Sequence, residues 1–166
     1  MRSLRRVLAE HLASSHVARI TYGSIIGLAL VVALSKHPPG SGAVAALLVG
    51  TGLAVGLAEV YSEVLGTETS RRRRVERGEL TEMLDDAVAV TFGATFPAVF
   101  FLLAAIGVIE DDTAFDIAIW SGLGLIAFYG YCAGRLAGAG NLRALTQALT
   151  VAIVGGALIA LKAVLH

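Results

Sequence analysis

Long apolar runs broken by short polar punctuation make up most of this chain. A helix needs about 20 mainly apolar residues to cross roughly 30 Å of hydrocarbon. Five stretches meet or approach that length: about 17–34, 43–65, 88–108, 115–136 and 145–165. The pattern predicts an all-α, polytopic membrane protein whose five transmembrane helices form a single domain over residues 1–166. The connections are short. In the clearest, His37-Pro38-Pro39-Gly40-Ser41-Gly42, prolines and glycines stop one span and turn the chain back. Only 66–86 has room for an extra element; its second half, "ERGELTEMLDD", is rich in helix formers and is expected to run directly into the third span. Ahead of the first span, Leu4, Val7, Leu8 and Leu12 share a helical face. Residues 1–16 therefore read as a short amphipathic helix on an anionic membrane surface, or as a solvated extension of the first span.

Composition agrees with the spans: 56% of the residues are hydrophobic, 16% are charged and the mean hydropathy is +0.76. That balance excludes an ordinary soluble domain. The first nineteen residues carry Arg2, Arg5, Arg6 and Arg19 without an apolar core and small-residue cleavage site, so no removable signal peptide is expected there. If the spans alternate, eleven of the thirteen Lys and Arg residues fall on one side, including Arg71 to Arg74, and only Lys36 and Lys162 on the other. The positive-inside rule then makes the N-terminus cytoplasmic. The opposite face is acidic, with Glu110, Asp111, Asp112 and Asp116 in one loop. The expected location is a bacterial-type plasma membrane with the arginine-rich loops in the cytoplasm. The arginines lack any groove-reading or aromatic pattern, so lipid headgroups rather than nucleic acid are their expected partners.

Glycines recur four residues apart, at Gly23 and Gly27, Gly52 and Gly56, and Gly130, Gly134 and Gly138, a spacing that lets helices approach closely in lipid. Pro97 falls inside the third span and is expected to kink it. Cys132 is the sole cysteine, so no intrachain disulfide can form.

The candidate chemistry begins with Glu59 and Glu63. They lie one helical turn apart on the face that carries Gly52 and Gly56, so this face is expected to look into protein. Glu59 lies about 9 Å from the end of its span at Leu65. Carboxylates are costly against lipid, and two so close raise a pKa or recruit a cation, as proton or metal handling requires. The alternatives are that Glu63 reaches out to the surface and that Glu59 pairs with an arginine such as Arg19 or Arg135. A second group, Glu79, Glu82 and Asp86 with Met83, shares a helical face and offers oxygen ligands to a divalent cation, or forms a solvated acidic helix start. The histidines assemble no site on paper, and neither a phosphate loop nor a nucleophile elbow occurs, so no enzyme is expected.

The order of these segments resembles the vacuolar iron transporter family, small five-span dimers that export Fe²⁺ or Mn²⁺ from the cytosol in exchange for protons. "YGSIIGLAL" is similar to the family's first span, "GLAVGLAEVYSEVLG" to its glycine- and glutamate-rich second, and "FGATFPAVFFLLAAIG" to its proline-bearing third. The tail "YCAGRLAGAGNLRALTQALTVAIVGGALIALKAVLH" resembles the basic turn and last span. The resemblance implies a homodimer carrying a divalent metal against protons, with no bound cofactor, and with Glu59 matching a family glutamate. It also implies a shortened cytosolic metal-binding segment, of which Glu79, Glu82, Met83 and Asp86 are the remnant. Tyr22 stands where the family has a span-one aspartate, and the family's span-two methionine is absent, the only methionines being Met1 and Met83. The competing expectation is a transport-inactive relative that serves as a membrane scaffold or as a subunit of a protein partner.

Overall fold

The computed structural model describes residues 14–136, 140–146, 148–150, 153, 156 and 157. Apart from 14–16, which open the first helix, the amphipathic segment expected over 1–16 lies outside the described residues, as does much of the fifth span. All regular structure among the described residues is helical. The elements are α1 (Ser14–Ser35), α2 (Ser41–Arg71), α3 (Arg77–Thr95), α4 (Ala98–Ala105) and α5 (Asp111–Leu136). Residues 141–146 and 148–150 are helical as well.

Among the described residues, three helices, α1, α2 and α5, are long and apolar enough to cross a membrane, and α3 with α4 makes a fourth candidate span if the bent pair counts as one. The bend is 48° and falls at Phe96-Pro97. Pro97 has no N–H, so the ladder changes pitch there: Phe96 still donates to the Phe92 carbonyl, while Val99 and Phe100 donate only three residues back, to Phe96 and Pro97. α2 is longer than its apolar run. It continues past Leu65 for six residues, through a polar stretch, and ends where Arg72 adopts a left-handed conformation with φ of 52°. As expected, "ERGELTEMLDD" opens the third membrane segment without a break. Its start at Glu76 is fixed by a reciprocal capping box in which the Glu76 backbone N–H donates to the Glu79 carboxylate.

The bundle closes on its glycines. A methyl group at Gly23 would overlap the Val90 carbonyl and one at Gly93 the Ile20 carbonyl, so α1 and α3 touch backbone to backbone. Gly52 and Gly56 of α2 accommodate Thr95 and Thr91 of α3, and the Thr91 hydroxyl donates to the Gly52 carbonyl at 3.2 Å. Away from the arginine-bearing end, Val31, Val44, Leu48, Phe101 and Phe115 form a closed apolar cluster, with Phe101 and Phe115 edge to face at 4.7 Å. There the Ser41 hydroxyl donates to Asp111 and links the start of α2 to the start of α5.

The other side of α2 is uncovered. Leu57 and Tyr61 are 72% and 71% exposed. Beside them Gly42, Ala46, Gly50, Ala54, Ala58, Ser62 and Gly66 repeat at intervals of four, all exposed. α2 therefore carries two registers of small residues: Gly52 and Gly56 are used inside the bundle, and the other is open to lipid or another helix.

Candidate cation site

Backbone packing brings the acidic residues together. Because Gly23 lets α1 lie against α3, Arg19, one turn earlier, is carried to the junction of α1, α2 and α3. Its guanidinium pairs through one nitrogen with Glu59 and through the other with Glu63, both on α2. The nitrogen facing Glu63 also lies 3.6 Å from Asp86 on α3, within ion-pair range but beyond a hydrogen bond. On the far side of Asp86, His16 approaches its other carboxylate oxygen at 3.7 Å. All these side chains are half-buried, Glu59 the most enclosed of the carboxylates at 18% exposure. One permanent positive charge thus serves three carboxylates.

This cluster abuts a cavity of about 400 Å³ between α2 and α3. Its walls hold four carboxylates, Glu63, Glu79, Glu82 and Asp86, together with the Met83 thioether, the Ser70 hydroxyl and Arg71. Glu63 and Asp86 belong to both the cavity and the Arg19 cluster, so acidic side chains follow one another from the open cavity to Glu59 without interruption.

Glu79 stands apart chemically. Arg73 donates to both of its carboxylate oxygens, at 2.7 and 2.9 Å, and Arg71 reaches it too. The hydrogen bonds from Arg73, seconded by the Glu76 backbone N–H, hold its carboxyl well below the usual range, at about 2. Glu79 therefore ties the arginine run to the start of α3. Glu82 and Met83 face the cavity without such ties among the described residues.

Among the described residues, no group of three or more His, Cys, Asp and Glu side chains is arranged to hold a metal ion. At the inner trio, the Arg19 guanidinium occupies the centre.

The sequence-predicted residues divide as follows. Glu59, Glu63 and Asp86 converge, and Glu79, Glu82 and Met83 line the adjoining cavity. Gly52 and Gly56 lie along the same side of α2 as the two glutamates, facing α3, and Pro97 is buried at the bend. Tyr22 is elsewhere: half-exposed, it lines a separate, mostly apolar groove with Ile25 and Tyr129 between α1 and α5. Arg19, rather than Arg135, pairs with Glu59, and His16 joins the cluster although no histidine site was expected. Helical spacing held the signal, since His16, Arg19, Gly23 and Gly27 recur every three or four residues along one face.

No family model, curated protein or solved structure matches the chain. Any assignment of function therefore stands on the site itself.

Proposed function

We propose that the chain is a vacuolar-iron-transporter-like membrane protein that moves a divalent cation such as Fe²⁺ or Mn²⁺ out of the cytosol in exchange for protons. One observation carries the reading: Glu63 and Asp86 are shared between the open acidic cavity and the half-buried cluster that contains Glu59. The cavity supplies hard oxygen donors and the softer Met83 sulfur, a mixture suited to borderline divalent ions. Glu59 and Glu63, one turn apart, then receive either the ion or protons as each leaves, because neighbouring carboxylates are not both comfortably ionised without a counter-charge. Pro97 and the 48° break in the third membrane segment supply a hinge for alternating access. The exposed small-residue register of α2 suits a homodimer seam. The full reading has five spans, a cytoplasmic N-terminus and a bacterial-type plasma membrane.

A second reading, a transport-inactive scaffold or subunit of a partner complex, is favoured by one feature: Arg19 already satisfies Glu59 and Glu63. The two readings separate in proteoliposomes holding a Mn²⁺-sensitive dye, with and without a pH gradient. The transporter reading expects gradient-dependent uptake that falls in Glu59→Gln. Uptake no faster than in protein-free liposomes, or a Glu59→Gln protein that transports like the parent, gives the decision to the scaffold.

A further inference from the structure

We propose that Arg19 is the resident cation of the Glu59, Glu63 and Asp86 trio and controls which ions enter it. The inference rests on the reading of Glu59 as a cation-binding carboxylate. The guanidinium engages one carboxylate with each terminal nitrogen and stands within ion-pair range of a third, so it takes the oxygens a divalent ion would need. It reaches them from a different helix, so its position depends on the seat of α1 against α2 and α3.

Three properties make it more than a structural ion pair. Arginine does not lose its proton in proteins, so this cation vacates the site only when the side chain, or α1 itself, moves. One guanidinium does not balance three ionised carboxylates, whereas a divalent ion comes closer, which gives an arriving ion a reason to displace it. The exit is short, because Glu63 and Asp86 also face the cavity. Arg19 is thus a specificity-determining residue: it keeps weakly bound monovalent ions out and sets a threshold that a divalent ion must exceed.

The test is Mn²⁺ binding by the purified full chain in lipid nanodiscs, read from the loss of the free-ion electron paramagnetic resonance signal. Arg19→Met is expected to bind Mn²⁺ at least about tenfold more tightly than the parent, the result of removing a competing charge from three carboxylates. Arg19→Lys keeps the charge and should stay near the parent. The gain should vanish in Arg19→Met/Glu59→Gln. A folded Arg19→Met protein that binds no tighter than the parent overturns the proposal, and so does a gain that survives Glu59→Gln. Arg19→Gln, which keeps a hydrogen-bonding amide, carries the same expectation if Arg19→Met does not fold. If neither neutral variant folds while Arg19→Lys does, Arg19 is a structural link and the proposal fails. Binding and flux separate the two claims. Tighter Mn²⁺ binding without uptake in any variant leaves this inference standing and removes the transporter reading, while uptake by the parent with no binding gain does the reverse.

Discussion

The two ends of the bundle are built on different terms. At the end away from the arginines, Phe101, Phe115, Leu48 and Val44 close an apolar cluster, and the polar link from Ser41 to Asp111 sits at the rim. At the arginine-bearing end, α1, α2 and α3 meet through charge: Arg19 joins three carboxylates and Arg71 and Arg73 hold Glu79, around a cavity of about 400 Å³. In lipid, apolar contact between helices gains nothing from leaving water, so the closed end relies on tight packing. The open end instead holds half-buried and exposed charges paired across α1, α2 and α3, where a purely structural junction could use apolar residues at little cost.

Substitutions at the two ends sharpen this contrast. The largest stability effect belongs to the closed end: Phe101→Ala is expected to cost about 3 kcal/mol through the cavity it leaves. Thermal denaturation of the purified protein in detergent measures it, and Mn²⁺ uptake by the surviving folded fraction should be nearly normal. Glu59→Gln reverses the pattern. Uptake should fall about tenfold or more, as expected when an intramembrane carboxylate with a transport role is neutralised, while Tm moves little because Glu63 and Asp86 remain beside Arg19. Ser41→Ala should cost about 1.5 kcal/mol, the low end for a hydrogen bond to a charged group because Asp111 is exposed, and leave uptake unchanged. If Ser41→Ala and Glu59→Gln lower uptake alike, the division between the ends is wrong.

The smallest effect is a pH response. With its carboxyl held at about 2, Glu79 favours the folded α2–α3 connection at any pH above the unfolded carboxylate's ordinary range, and that contribution is lost as pH falls through the folded value. Amide exchange at the start of α3, followed by mass spectrometry after correction for intrinsic rates, should therefore stay protected at pH 4 and lose protection only towards pH 2. Loss already complete at pH 4 would show that the arginines do not hold Glu79 in solution.

Much of this was readable from periodicity. The first, second and fourth apolar stretches are helices long enough to span, Pro97 breaks the third, and Glu59 and Glu63 share the inward side of α2 with Gly52 and Gly56. These are local properties, fixed by spacings of three, four and twenty residues. The choice of Arg19 over Arg135 as the partner of Glu59 was not readable, because it depends on how three helices sit, and that is decided by backbone contacts at Gly23 and Gly93. The full length of α2 was not readable for a different reason. Hydropathy stops at Leu65, but a helix needs only its backbone bonds to continue, so "GTETSR" extends it to Arg71. Tyr22, expected near the glutamates, lines a separate groove between α1 and α5.

That extension of α2 has a consequence for supply. At 1.5 Å per residue its 31 residues run about 46 Å, against roughly 30 Å of hydrocarbon. The surplus carries Gly66, Thr67 and Ser70 of the cavity wall, with the arginine run at its tip, and in a spanning α2 it would reach beyond the hydrocarbon. On an anionic leaflet a surface potential of about −30 mV concentrates divalent ions roughly tenfold above bulk. If the site takes divalent ions as proposed, a mouth at that depth would sample the ion atmosphere of the lipid, and the acidity of the surrounding membrane would enter its apparent affinity.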